Sequence, residues 1–260
     1  MPYETITVET TDRVARVTLN RPEVHNAFNI QMLLDLIDAF GKLGVDGDVR
    51  VVVLTGEGKS FCAGADLQWM REIIDYSYEQ NLEESNTVAD LMEVIYLCPK
   101  PTIARVNGAA IGGGTGLVAA CDVAVAAESA KLSLSEVKLG LVPACISPYV
   151  IRRVGESRAR ELFLTGERLS AARAAEYGLV NRAVPDGELD VAVDELVEKL
   201  ITSGPEAIAT CKELLRRVPG HPIDEIKGFT AECIAKMRVS DEGQEGMAAF
   251  FEKRKPKWAE

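Results

Sequence analysis

Histidine is almost missing from this sequence: His25 and His221 are the only two in 260 residues. No cluster with metal-ligand spacing can be drawn, and a Ser-His-Asp arrangement has few candidates, so neither a resident metal nor that form of nucleophilic catalysis is expected. The six cysteines, Cys62, Cys98, Cys121, Cys145, Cys211 and Cys233, include no Cys-x-x-Cys pair. Several stand inside apolar runs, where a thiol acts as a small hydrophobe. They are expected to be reduced, which fits a cytoplasmic setting. Positive charge is also short, with 29 Lys and Arg against 40 Asp and Glu and a net charge of −11. Such a balance repels phosphodiester backbones and anionic lipid, so no nucleic-acid or membrane partner is expected. No apolar run approaches the roughly 18 residues of a membrane span. The opening Met1-Pro2-Tyr3-Glu4-Thr5 has neither a basic leader nor an Arg-rich transit pattern.

What is present is a chain long enough to bury roughly 70–75% of its unfolded surface in one core. Ile6 to Glu9 and Val14 to Leu19 alternate with period two around a polar turn, which predicts a hairpin. An irregular polar loop, Asn20 to Phe28, follows. Asn29 is placed to cap a helix whose apolar positions Met32, Leu33, Leu36, Ile37, Phe40 and Leu43 keep the 3.6 period. Val49 to Thr55 is apolar almost throughout, as in strands buried on both faces. A small-residue turn, Ser60 to Leu67, then feeds a helix, and residues 79–97 read as helical. From Ser157 onward the pattern is helical, over 159–164, 170–177, 189–201, 205–218, 223–238 and 242–253, and no further strand is expected. Strand and helix alternate in the first two thirds and helices fill the last, which argues for an α/β core with a helical C-terminal appendage. The turn at Asn181 to Gly187 is the best boundary between them.

The stretch Asn107 to Asp122 organises the rest. It follows a short strand at Thr102 to Val106, passes through Gly112-Gly113-Gly114, and enters an apolar helix. Consecutive glycines are tolerated best where backbone turns sharply or approaches another molecule closely. At a helix N-terminus the free N–H groups and the positive end of the dipole suit a negatively charged oxygen.

Six motifs in register, Asn-Arg-Pro with Asn-Ala-Phe-Asn over 20–29, Phe-Cys-Ala-Gly-Ala-Asp-Leu at 61–67, Val-Asn-Gly-Ala-Ala-Ile-Gly-Gly-Gly at 106–114, Cys-Asp at 121–122, residues 134–143 and residues 250–256, resemble the enoyl-CoA hydratase/isomerase (crotonase) superfamily. The resemblance covers nearly the whole chain. It implies an α/β fold, the ClpP-like spiral of ββα units, with residues 1–186 as the core holding an acyl-CoA site and 187–260 as a helical trimerisation region. It implies an oxyanion hole formed by the N–H groups of Ala65 and Gly113, next to Gly112, and a catalytic glutamate at Glu136. It also implies a coenzyme A path along Val24, His25, Ala27, Ala63, Asp66 and Leu67. Phe250 and Lys253 would be added, often from a neighbouring subunit in a homotrimer or dimer of trimers. Residues 251–260 carry four Lys and Arg against two Glu, a local excess suited to phosphate. Coenzyme A belongs to the substrate, so no separate cofactor is expected.

Glu136 stands among Leu132, Leu134, Val137, Leu139, Leu141 and Val142, where a carboxylate is costly unless partnered or working. One departure is informative. Family hydratases commonly carry a second glutamate three residues after the oxyanion-hole glycine, and here that place is Gly116. This variant and the run at 134–150 look most like bacterial hydratases of branched glutaconyl-CoA thioesters, such as methylglutaconyl-CoA and isohexenylglutaconyl-CoA hydratases. Glycine is expected to leave uncharged space beside the substrate's β-carbon. Hydration or dehydration of a 2-enoyl-CoA is the expected activity; double-bond isomerisation, decarboxylation of a glutaconyl thioester, and non-catalytic acyl-CoA binding are the alternatives.

Overall fold

A computed structural model describes residues 2–259; Met1 and Glu260, which belong to two of the stretches above, lie outside the described residues. The chain opens with an antiparallel hairpin of β1 (Ile6–Thr11) and β2 (Val14–Leu19), then α1 (Ile30–Val45), capped by the Asn29 side chain on the Met32 N–H. From there it repeats one device three times: β3 (Val51–Gly56) and β4 (Ser60–Cys62), β5 (Thr102–Val106) and β6 (Ala109–Ile111), β7 (Val123–Ala127) and β8 (Lys131–Ser133). Within each pair the first strand joins one sheet and the second joins another. Helices follow each pair: α2 (Leu67–Ile73) and α3 (Tyr78–Leu97), α4 (Gly113–Ala120), and α5 (Ser147–Thr165). These are the ββα units that the resemblance implies.

Two further strands, β9 (Arg168–Ser170) and β10 (Arg182–Val184), complete sheets ordered β1-β2-β3-β5-β7-β10 and β4-β6-β8-β9. Their presence corrects the expectation of a strand-free chain after Ser157. Each is only three residues long, and α6 (Ala171–Tyr177) lies between them, so no alternation stands out from the helical text. The short β4, β6 and β8 escaped for the same reason.

The central strands of the large sheet, β3, β5 and β7, are buried on both faces, and alternate residues of β3 serve different layers. Val52 and Leu54 join the main core with Leu33, Leu36, Phe40, Leu91 and Ile95. Val51 and Val53 pack with Ile103, Val125, Leu189 and Val193, the last two from α7 (Leu189–Ile201). The last three helices, α8 (Pro205–Arg217), α9 (Ile223–Val239) and α10 (Asp241–Glu252), are different. Only Lys212 is buried in α8, nothing in α9, and Ala249 in α10. A cavity of about 820 Å³ lies between them. Among the described residues, no helix is long and apolar enough to cross a membrane.

Candidate active site

β4 and β6 run parallel and side by side, so the turns after them emerge together at the carboxyl ends of their strands, where open parallel sheets place their ligands. The first turn is Ala63-Gly64-Ala65-Asp66. It is zipped to the loop before α1 by three backbone hydrogen bonds: Ala63 N–H to His25 O at 3.0 Å, Phe28 N–H to Gly64 O at 2.8 Å, and Asp66 N–H to Phe28 O at 3.0 Å. This is a parallel bridge between Phe28 and Ala65. In such a bridge the residues flanking Ala65 make the bonds, and the N–H of Ala65 itself points away from Phe28 with no partner among the described residues.

The loop is held by side chains. Asn26 is fully buried in the left-handed region, φ 55°, a conformation that asparagine tolerates. Its oxygen accepts the Arg21 N–H, and its amide donates to Glu57 O and Ser60 O. The Arg21 guanidinium donates to Ala27 O and to Asp66 Oδ2 at 2.8 Å. Asp66 also caps α2 by accepting the Gln68 N–H at 2.7 Å. Burial alone would push the Asp66 carboxyl up; the Gln68 N–H and Arg21 outweigh it and hold it below the ordinary carboxylate range. Asp66 therefore serves the site by fixing the turn, with its carboxylate turned to the protein.

The second turn is held by the absence of atoms. A methyl group on Gly113 would lie 2.1 Å from Phe28 Cζ, one on Gly114 2.3 Å from Cys62 O, and one on Gly64 2.9 Å from Ile111 O. Gly113 opens α4, and its N–H, like that of Ala65, has no acceptor among the described residues. The same methyl on Gly64 would be 4.0 Å from Gly113 N, so the two turns meet. Behind them the Phe28 ring leans on Trp69, with centroids 6.2 Å apart, and the Trp69 indole donates to Glu84 Oε2 at 2.6 Å.

Glu136 is brought to this place by β8. The Gly112 N–H donates to Ser133 O at 2.8 Å, and the buried Thr115 hydroxyl bridges to Ala110 O and Ser133 O. Three residues on, a methyl group on Gly112 would come within 3.0 Å of Glu136 Oε1. Glu136 Oε2 is buried with no hydrogen-bond partner among the described residues. Desolvation raises the Glu136 pKa above the ordinary carboxylate value, against one weaker backbone hydrogen bond. The turns thus offer two unpartnered N–H donors beside a carboxyl poised to exchange a proton, an arrangement that can stabilise an oxyanion while a proton moves on or off carbon.

Gly116 requires a correction. The space beside it is filled: a methyl there would lie 2.2 Å from Ile146 Cγ2 and 3.3 Å from Met92 Cε. The side chains of Ile146, at the cap of α5, and of Met92, on α3, occupy the place that a side chain here would take. Where a second carboxylate was expected to be missing and its volume open, the wall is apolar and closed. Val24, His25, Ala27, Ala63 and Leu67 do come together along the zipped loops, with Leu67 exposed and His25 Nδ1 3.1 Å from Ser60 Oγ. Phe250 and Lys253 stand at the end of α10, which packs on α9 and α8; Phe250 is exposed and stacks on Phe251. The basic end is partly neutralised within the chain, because Arg254 pairs with Glu245 and Glu252. Burial pushes the Cys62 and Cys121 thiols up to about 12, which removes them as nucleophiles.

A family model described as enoyl-CoA hydratase/isomerase matches residues 9–260. The chain belongs to the enoyl-CoA hydratase/isomerase family. Among solved structures it is similar to an enoyl-CoA hydratase from Shewanella pealeana, 41% identical over 98% of this chain and 96% of that one, with a TM-score of 0.96. It is similar to AtuE of Pseudomonas aeruginosa, 36% identical over 99% and 100% of the two chains, TM-score 0.95. A short-chain-enoyl-CoA hydratase of Clostridium acetobutylicum is 33% identical over 98% of this chain and 97% of its own length.

For this member of the enoyl-CoA hydratase/isomerase family, sequence reading names two N–H groups and a carboxylate that lie close together in the structure and passes over what holds them there. Arg21, Asn26, Thr115 and Ile146 stand in quoted stretches without a role of their own, and Met92 lies in the helical 79–97 without one. The Cys-Asp motif proves to be an anchor: Asp122 accepts the Thr102 N–H and hydroxyl and pairs with Lys212 from α8.

Proposed function

We propose that this protein is an enoyl-CoA hydratase whose preferred substrates are 3-substituted glutaconyl-CoA thioesters. The observation that carries the reading is Glu136, alone and desolvated beside the donors of Ala65 and Gly113, with apolar Ile146 and Met92 where a second carboxylate would stand. The Glu136 carboxylate takes a proton from water as the hydroxyl bonds to C3. Electrons from the C2=C3 bond pass to the thioester oxygen, which the two N–H groups hold as an enolate, and the proton is returned to C2. One water is added and Glu136 is regenerated.

A second carboxylate would repel a substrate carrying its own; two unit charges about 4 Å apart interact by roughly 4 kcal/mol at an effective dielectric near 20. Apolar Ile146 and Met92 in that place remove the repulsion, which favours an acyl group carrying its own carboxylate. Coenzyme A enters as part of the substrate along the zipped loops, with no separate cofactor, and Phe250 and Lys253 complete its path from a neighbouring copy in a trimer or dimer of trimers in the cytoplasm. The single carboxylate also suits a second reading, proton shuttling in isomerisation or in decarboxylation of the same thioesters.

The test is kcat/KM for 3-methylglutaconyl-CoA and crotonyl-CoA in parallel, with products read by mass. Preference for the branched diacid and a gain of one water support the reading. Preference for crotonyl-CoA overturns the substrate class, and unchanged mass or loss of carbon dioxide overturns hydration.

A further inference from the structure

At the far end of α4 from Gly113 lies a second polar cavity, of about 310 Å³. Eight residues of helix at ~1.5 Å each put it roughly 12 Å from the N–H donors. Tyr96, Tyr149, Arg152, Arg153, Lys212 and Arg216 line it. Four cations facing one cavity are unexpected in a chain of net charge −11, and Asp122 is the one carboxylate in its lining.

Two of the four are already engaged. Arg153 donates to Ala119 O, Cys121 O, Leu179 O and Asn181 Oδ1, closing the carbonyl end of α4. Lys212 binds Lys100 O and pairs with Asp122, whose carboxylate is thereby matched. The other two are not. Among the described residues, neither Arg152 nor Arg216 forms an ion pair or a hydrogen bond. The Nη1 of Arg216 is buried without a partner, one of three such side-chain atoms among the described residues; another is Glu136 Oε2 in the candidate active site. A buried guanidinium donor left unmade is costly, and native structures supply a partner, water or ion. The Tyr96 and Tyr149 hydroxyls make no hydrogen bond either, and their rings meet edge to face with centroids 5.3 Å apart. The cavity therefore collects two free guanidinium groups and two free hydroxyls, all able to donate and none matched by an acceptor.

We propose that this cavity binds a small oxyanion, a phosphate or a compact phosphorylated or carboxylated metabolite, between Arg152 and Arg216, with the two tyrosine hydroxyls completing its hydrogen bonds. The planar guanidinium fork suits tetrahedral and carboxylate oxygens alike. This site is separate from the acyl-CoA site and does not depend on the activity proposed above.

Inorganic phosphate titrated into the full-length protein by calorimetry, at constant ionic strength against chloride and with coenzyme A saturating, tests it. One equivalent per chain is expected. The dissociation constant should rise at least about tenfold in Arg216→Gln, since hydrogen bonds to charged groups carry that much. Arg152→Gln, a change at an exposed position, should act in the same direction, and Lys138→Gln should have no effect. Arg216→Gln should not lower the unfolding midpoint in phosphate-free buffer, because Arg216 has no protein partner to lose. Absence of binding, or binding unaltered in both arginine variants, overturns the proposal. So does a change of assembly size by light scattering in Arg216→Gln without phosphate binding in the parent, which would make the cavity a contact between copies.

Discussion

The two turns that meet at the candidate site are built by opposite means. The 63–66 turn is held by what surrounds it, namely Arg21, Asn26, the Phe28 bridge and the Asp66 cap. The 112–114 turn is held by what is missing, since any side chain would strike Phe28, Cys62 or Glu136. The first is vulnerable to losing distant side-chain atoms, the second to gaining near ones. A pair of donors made this way has two independent failure modes, and substitutions can separate them.

The largest effect is expected where a donor is deleted outright. Proline is accepted at the first position of a helix, but it has no N–H. In a Phe28→Ala background, which makes room, Gly113→Pro is expected to lower kcat by about 10²–10³-fold relative to Phe28→Ala alone, the usual cost of losing one oxyanion donor. Circular dichroism must show both variants folded. Equal rates would remove Gly113 from the chemistry.

Next in size is the carboxyl between the turns. Glu136→Gln should reduce kcat by at least about 10²-fold with KM little changed; a rise in KM at constant kcat would make Glu136 a binding group. Stability should move the other way. Burial raises the Glu136 pKa above its unfolded value, so the native state holds the proton more tightly. Its contribution is complete below the unfolded value and is lost as pH rises through the folded one, where a desolvated charge remains. The glutamine variant is therefore expected to melt higher than the parent at neutral pH, with the gain vanishing below about pH 4. A constant difference across pH would contradict this.

The surrounded turn should fail more gently in rate and more sharply in stability. Asp66→Asn leaves the part-buried Arg21 unmatched, at a cost on the order of 3 kcal/mol in chemical denaturation. Arg21→Met combined with Asp66→Leu should cost less than the sum of the single changes. Additive losses would show that the pair does not hold the turn.

The smallest change is one methyl group at Gly116. Gly116→Ala is expected to destabilise by about 1–3 kcal/mol through overpacking on Ile146, and Ile146→Ala, which removes the Cγ2 that the new methyl would strike, should recover part of it. Full tolerance of alanine would mean that α4 and α5 can separate.

The same contrast explains what the amino-acid sequence disclosed. Features made of absence are legible, because three adjacent glycines and a small-residue turn have few other uses. The period of α1 and the largely apolar β3 are legible as well. Features made of mutual contact are not: Ile146 lies 30 residues from Gly116, and nothing local to either says that they touch. Three-residue strands such as β9 and β10 exist only through their neighbours in the sheet, so their local pattern is silent. The helical reading of residues 205–253 held closely, yet hardly any of those side chains is buried within one chain. No periodicity in the sequence foretold the cavity between those helices.

The Trp69 indole, hydrogen-bonded to Glu84 and resting on the ring that backs Gly113, turns the cradle into its own optical gauge. The sequence has one other tryptophan, Trp258, whose indole donates to Thr202 O. With Trp258→Phe in place, all remaining indole emission originates one aromatic ring from the donor. A thioester held at the Gly113 N–H is expected to alter the light from Trp69 through Phe28, so a change of emission on adding acyl-CoA would report occupancy of the site in real time without a label.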